Sequence, residues 1–266
     1  MKKIQTKILL FIPGYNCEKQ IIRVLDQLDN DVMKYITEII FVNNRSTDNT
    51  EKAVLNYKNH SKLSLKILRN DDNYNLGGSH KVAFDYAINN KFDYVIVLHG
   101  DDQGNIHDLI PYLKNEEYKN YDCLLGARFM KKSKLIGYSK FRTFGNKVYN
   151  LLFSMVVDKK IYDLGSVLNM YSTKILKSRY YYKFPDRLTF NYCMVLAINY
   201  YNQNVKFFPI SWREEDQVSN VKMTSQALNV LKMLFKYMFN HKYIHNEFRD
   251  NIIGKYTSKE ITENEK

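Results

Sequence analysis

YVIVLHGDDQGN, residues 94–105, opens as a run of apolar and β-branched side chains and closes in two adjacent carboxylates flanked by an imidazole and an amide. The apolar part reads as a buried strand. Adjacent carboxylates repel, and neither stays in a core unpaired. Something positive is therefore expected to meet Asp101 and Asp102.

Working outward, the same pattern repeats. KILLFIP (7–13) is a short apolar run stopped by Pro, Gly and Asn, and EIIFVNN (38–44), LSLKILRN (63–70) and YDCLLGAR (121–128) are further strands. EKQIIRVLDQL (18–28) has helical spacing at Ile21, Val24, Leu25 and Leu28. STDNTEKAVLNY (46–57) is a helix with Ser46, Thr47 or Asp48 as N-cap and Glu51 close behind, and GGSHKVAFDYAINN (77–90) and IHDLIPYLKN (106–115) are helices too. Strand alternating with helix implies an α/β fold, a mostly parallel sheet with helices on both faces. Ligands of such sheets sit beyond the carboxyl ends of the strands, where PGYNCE, NNRSTD, NDDNYNLGG and HGDDQGN are all polar. No GxGxxG follows the first strand and no GxxxxGK[ST] occurs, which argues against a dinucleotide dehydrogenase or a P-loop enzyme.

The second half is less regular. YSKFRTFGNKVYNLLFSMVV (138–157) spaces Phe141, Phe144, Val148, Leu151, Leu152 and Met155 as on a helix, with Lys140, Arg142 and Lys147 among them. GSVLNMYS (165–172) and VKFFPISW (205–212) read as strands, and RLTFNYCMVLAINYYN (187–202) and VKMTSQALNVLKMLFKYMF (221–239) as helices. From Lys255 onward the chain reads as a polar, mobile tail.

The 266 residues, 45% hydrophobic, support one sizeable core. The net charge of +12 suggests an anionic partner: nucleic acid, a lipid headgroup surface or a phosphorylated substrate. Between Arg128 and Arg187 lie 14 bases and three acids, a net +11 that holds nearly the whole excess. Cys17, Cys123 and Cys193 form no CxxC pair, so a zinc ribbon or redox motif is not expected, and a reducing cytoplasm fits. The first apolar run stops at Pro13, too short for a signal-peptide core, and no run of about 18 apolar residues suggests a membrane span. His241 and His245 sit at i, i+4 but lack the Glu and further ligands of a metal motif, and the NRS sequon at Asn44 matters only in a secreted chain.

Seven blocks in order, FIPGYNCEKQI, FVNNRSTDNT, NYNLGGSHKVAFDYA, VIVLHGDDQGN, LLGARF, YDLGSVLNMYS and FFPISWREEDQVSNVKM, make the chain resemble family 2 glycosyltransferases of GT-A fold, especially their dolichol- or polyprenyl-phosphate mannosyltransferase-like branch. The resemblance implies a single GT-A domain over 1–254, with a nucleotide-binding half to about 128 and an acceptor- and membrane-facing half beyond, then the tail at 255–266. It implies inverting, metal-dependent transfer of a sugar from a nucleotide-sugar to polyprenyl phosphate by a peripheral enzyme on the cytoplasmic face of an anionic membrane. Carboxylates holding Mg²⁺ or Mn²⁺, with nearby Arg or Lys, stabilise the charge of the leaving diphosphate.

The family's Asp-x-Asp-x-Gln frame reads His99, Gly100, Asp101, Asp102, Gln103 here. The resemblance makes Asp101 the principal metal ligand, with Gln103 and His99 assisting; imidazole suits Mn²⁺ better than Mg²⁺. Pro13, Tyr15, Asn16, Glu18, Asn44, Asp102 and Arg128 fall on donor-binding positions. Asn44 stands where relatives carry a base-reading Asp, and Cys17 where they carry the first Glu. Arg128, Arg142 and Arg213 match positions near the diphosphate or acceptor phosphate, where bidentate guanidinium contact suits an anion. Asp163 is a candidate base or acceptor-site residue; a hydroxyl acceptor needs it or another carboxylate and a phosphate does not, while the family's Glu in the following helix has no clear counterpart, TFNYCM offering Asn191. The alternatives are transfer to a hydroxyl of a surface glycan or lipid-linked acceptor, a non-catalytic nucleotide-sugar-binding relative and, with no supporting motif, nucleic-acid binding.

Overall fold

The computed structural model describes residues 6–216, 223–250 and 255–262. In chain order β1 (Ile8–Gly14), α1 (Glu18–Asp26), the one-turn α2 (Asn30–Met33), β2 (Glu38–Asn43), α3 (Thr50–His60), β3 (Leu65–Asn70), α4 (Asn75–Asn89) and β4 (Tyr94–Leu98) lead to the acidic turn. Then come α5 (Ile110–Lys114), β5 (Cys123–Ala127), β6 (Lys134–Ile136), α6 (Lys140–Val157), β7 (Leu168–Ser172), α7 (Thr173–Leu176), α8 (Phe190–Tyr200), β8 (Val205–Pro209), β9 (Ser211–Arg213), α9 (Met223–Phe239) and β10 (Ser258–Glu260).

Eight strands form one sheet in the order β10-β3-β2-β1-β4-β7-β5-β8, and β6 with β9 forms a small second one. β3, β2, β1 and β4 run parallel, so their carboxyl ends, and the loops that follow, open on one edge. β7 enters antiparallel between β4 and β5, and β10 lies antiparallel on β3. The sheet is covered on both faces, as its continuous apolar strands require. Leu9, Phe11, Val95 and Val97 pack into the core on one side with α4 and α8; Ile8, Leu10, Ile96 and Leu98 pack into the other with α1.

Several local readings shift. α3 starts at Thr50, whose N–H is taken by the Asp48 carboxylate at 3.0 Å, while Asn49 occupies the N-cap position without a side-chain bond. IHDLIPYLKN is a 3₁₀ turn (Ile106–Leu109) before the short α5, with Pro111 in its first turn. VKFFPISW divides at Ile210, whose N–H stays with Ala127 of β5 while its carbonyl accepts from Lys134 of β6. The segment read as a polar tail contains β10, because Lys259 and Glu260 pair their backbones with Arg69 and Leu68 while Ile261 is buried. Residues 217–222 and 263–266 of the quoted blocks and tail lie outside the described residues. Among the described residues no helix is long and apolar enough to cross a membrane.

Candidate active site

The acidic turn is pinned where β4 leaves the sheet. The His99 N–H donates to Val167 O at 3.0 Å and the Gly100 N–H to Pro13 O at 3.0 Å. A Cβ at Gly100 would come within 2.9 Å of that same Pro13 oxygen, so the residue must be glycine for the turn to lie against the exit of β1. Asp102 takes a left-handed conformation, φ 59°. Its carboxylate is buried among Arg23 Nε at 2.6 Å, Gln27 Nε2 at 3.2 Å and the Arg213 guanidinium, and its carbonyl accepts from Arg213 Nε at 3.0 Å. The positive partner expected for the pair is thus supplied to Asp102 from within the chain. Asp101 is half-buried and accepts the Gln103 N–H at 3.2 Å; burial pushes its pKa up to about 6, with the backbone N–H groups working in the opposite direction.

The residue types that the sequence proposes for a divalent cation lie on or beside the turn. Asp101 is a carboxylate, Gln103 an amide, and His99 a buried imidazole whose Nε2 has no partner among the described residues, while burial holds it neutral with a pKa lowered to about 4. Among the described residues no three His, Cys, Asp or Glu side chains converge, so substrate oxygens and water would have to complete the shell, as suits Mg²⁺. His99 also meets His80, whose Nδ1–H donates to Leu76 O at 2.8 Å and whose Nε2 is likewise buried without a partner.

The donor loops are tied to one another. Asn16 (φ 49°) accepts the Thr47 N–H at 2.8 Å, the Glu18 carboxylate accepts from Asn49, and the Cys17 N–H donates to Thr50 Oγ1. Burial pushes the Cys17 thiol up to about 12, so it is a packing group. Tyr15 is exposed above this knot. Asn44 is buried, and its amide is engaged by Asn70, Asn73 and the Tyr74 N–H; it shapes the loop before α4 instead of standing open for a base.

On the other side of the turn, Arg128 and Asp163 form a buried two-point ion pair, Nε–Oδ2 and Nη2–Oδ1 both 2.7 Å, and the Arg128 N–H adds a third bond. Trp212 and Tyr138 stack on the guanidinium at 4.6 and 5.5 Å. Both Asp163 oxygens and the Arg128 guanidinium are thus engaged with each other. Arg142 pairs with Glu214 and lies over Tyr138. Asn191 lies at the start of α8, and its buried Oδ1 has no partner among the described residues. Part of the charge gathered between Arg128 and Arg187 is thus spent internally, as is Arg179 on Asp85.

A cleft of about 420 Å³ at the turn is lined by Arg23, Gln27, Asp102, Gln103, Trp212 and Arg213; another of about 440 Å³ lies away from the turn, at the ends of β2 and β3, between Arg45, Arg69, Asn70 and Lys259. Arg23, Gln27, Tyr138, Trp212 and Glu214 were not singled out by sequence. A signal for the first two was present: Gln20, Arg23 and Gln27 form a polar line at i, i+3, i+7 on α1.

Residues 10–179 match the model of Glycosyl transferase family 2. An uncharacterized protein of Methanocaldococcus jannaschii is 25% identical over 236 residues, 87% of this chain and 99% of its own length. A dodecaprenyl-phosphate galacturonate synthase of Rhizobium johnstonii is 23% identical over 173 residues, 64% of this chain and 49% of the synthase. In shape the chain is similar to S. aureus TarS 1-349 (TM-score 0.61, 21% identity, 91% of this chain and 70% of that one). It is also similar to Mycobacterium tuberculosis glucosyl-3-phosphoglycerate synthase in complex with Mn²⁺, UDP-glucose and phosphoglyceric acid (TM-score 0.60, 12% identity, 88% and 80%).

Proposed function

The chain belongs to glycosyl transferase family 2 and is a glycosyltransferase, and from that premise we propose that it moves a sugar from a nucleotide-sugar to the phosphate of a polyprenyl phosphate at a membrane face. The observation that carries the reading is the polar turn at the carboxyl end of β4, in which Asp102 is held by Arg23 and Arg213 and the buried His99 Nε2 has no partner among the described residues. Asp101, Gln103 and His99 are read as the cation-binding residues of that turn.

In this reading Asp101 and Gln103, with His99, would hold Mg²⁺ or Mn²⁺, which when bound offsets the charge gathering on the leaving nucleoside diphosphate. Pro13, Tyr15, Asn16 and Glu18 form the donor side of the crevice. Arg213, fixed at two points by Asp102, sets a guanidinium at the rim of the turn for phosphate oxygens, and Arg142 stands beyond it toward the acceptor. A phosphate acceptor is already an anion and needs no base. That suits a site in which Asp163 is chelated by Arg128 and the following helix carries Asn191. The galacturonate synthase of Rhizobium johnstonii, a dodecaprenyl-phosphate enzyme by name, supports the acceptor class. A hydroxyl acceptor is the second reading, favoured if a proton acceptor other than Asp163 is found.

A thermal-shift screen of nucleoside diphosphates and nucleotide-sugars, with UDP-sugars first and with and without Mn²⁺, tests the donor half. Stabilisation that needs both metal and nucleotide, and disappears in Asp101→Ala, supports it. Stabilisation by none of them, or equal stabilisation of Asp101→Ala, overturns it. Labelled sugar appearing on polyprenyl phosphate tests the acceptor half.

A further inference from the structure

α6 and α9 pack side by side, and each carries two apolar stripes. The inner stripes, Phe153 and Val157 on α6 and Val230, Met233, Leu234 and Tyr237 on α9, are buried in one core cluster. The outer stripes are not covered. On α6 Phe141, Phe144, Leu151 and Met155 recur at the three-and-four spacing of a helix face, with Phe144 67% exposed. On α9 Leu228, Leu231, Phe235 and Phe239 do the same, with Phe235 62% exposed. Soluble surfaces rarely leave so many large apolar side chains in one patch without a partner.

The charges say which partner. α6 carries Lys140, Arg142 and Lys147, α9 carries Lys232 and Lys236, and neither helix contains an Asp or Glu. Two copies of this face would set like charges against each other, whereas an anionic lipid surface answers the apolar stripe and the basic residues together. We infer that the outer faces of α6 and α9 together are the surface by which the protein docks on an anionic bilayer, the apolar side chains entering the headgroup region and the lysines meeting the lipid phosphates. The inference deepens the proposed transfer to a lipid-borne phosphate and rests on that reading for its purpose. α6 begins beside Arg142, which is paired with Glu214 next to Arg213, so docking through this face brings the acceptor side of the site to the lipid surface.

Co-sedimentation of the full chain with vesicles of phosphatidylglycerol and phosphatidylcholine, against phosphatidylcholine alone, tests it. Binding to the mixed vesicles that weakens with salt and falls at least about tenfold in the double variant Phe144→Asp, Phe235→Asp is expected. The variant should keep its melting temperature and its metal-dependent response to nucleotide. No preference for anionic vesicles, or undiminished binding by the variant, overturns the inference. Self-association that the same substitutions abolish, without vesicle binding, also overturns it and makes the face a contact between copies. Vesicle binding without any sugar transfer leaves the docking surface standing and removes the proposed activity instead.

Discussion

Arg128 and Asp163 lie 35 residues apart in sequence and meet through paired N–H···O bonds of 2.7 Å in a pocket roofed by Trp212. The pair joins the end of β5 to the segment leading into β7, and with Tyr138 it forms the wall between the acidic turn and α6. Removing one partner strands the other. Arg128→Met is expected to lower stability by about 3–5 kcal/mol, read by urea denaturation, because Asp163 is left buried and uncompensated. If Asp163 positions Arg128 and does not take a proton, Asp163→Asn will lower stability while the pH profile of transfer keeps its shape; a flattened basic or acidic limb with unaltered stability would assign it a chemical role.

Asp101 and Asp102 should behave differently under the same substitution. Asp101→Asn is expected to lower transfer by about 10²–10³-fold with little change in melting temperature, since it removes charge at the leaving diphosphate. Asp102→Asn should lower the melting temperature as well, because Arg23 and Arg213 lose a common anchor. Identical outcomes for the two variants in side-by-side kinetics and melting would contradict the division of roles.

Chelation gives a related expectation. With EDTA in excess the wild-type protein should lose nucleotide-dependent stabilisation and regain it with Mn²⁺, whereas Gln103→Ala should need more Mn²⁺ for the same shift. A titration that superimposes on wild type would exclude Gln103 from the cation site.

His80 and His99 set an acid limit on folding. Burial lowers their pKa values from the ordinary 6.5 to about 3 and about 4. Both are neutral in the folded chain and bind protons more readily once unfolded. Their contribution is complete above pH 6.5 and is lost as pH falls from there toward the folded values, so the unfolded state takes up protons in that window. The urea midpoint should drop from neutral pH to about pH 5, and His80→Phe, placed against Phe11, Phe84 and Phe190, should make that drop shallower. An unchanged slope would mean that other groups carry the acid sensitivity.

Lys81 is fully buried and binds Asp186 at 2.7 Å, Phe184 O at 2.6 Å and Tyr256 Oη at 2.9 Å. Lys81→Met should cost about 3–5 kcal/mol by removing the buried ammonium from Asp186, and Tyr256→Phe about 1–3 kcal/mol for the two hydrogen bonds its hydroxyl makes to Lys81 and Asp186. Equal losses in denaturation would show that the ammonium is not the centre of the cluster.

The parallel half of the fold was legible because β1, β2 and β4 are buried on both faces, and a strand so placed is apolar at every position. The loops after them were legible for the converse reason, Gly100 and Asn16 marking sharp turns in polar stretches. What sequence could not settle was which of two identical neighbours is held internally: it is Asp102, at a left-handed φ, and its arginines lie 79 and 111 residues away. The pairing of Arg128 with Asp163 was equally hidden, since each residue alone suited a phosphate site or a base. β6, β9 and β10 are three residues each, too short to show an alternation, and β10 is polar because it lies at the rim of the sheet.

β10 has a consequence for handling the protein. By lying along β3 it occupies backbone groups that would otherwise offer a template to another chain, and it presents Lys259 and Glu260 in their place. A version trimmed after Asn246 would keep the acidic turn and the loops after β1 and β2 but lose Lys259 from the cleft at the ends of β2 and β3, lose Tyr256 from Lys81, and unseal that flank, so cloudiness on concentration should be an early symptom.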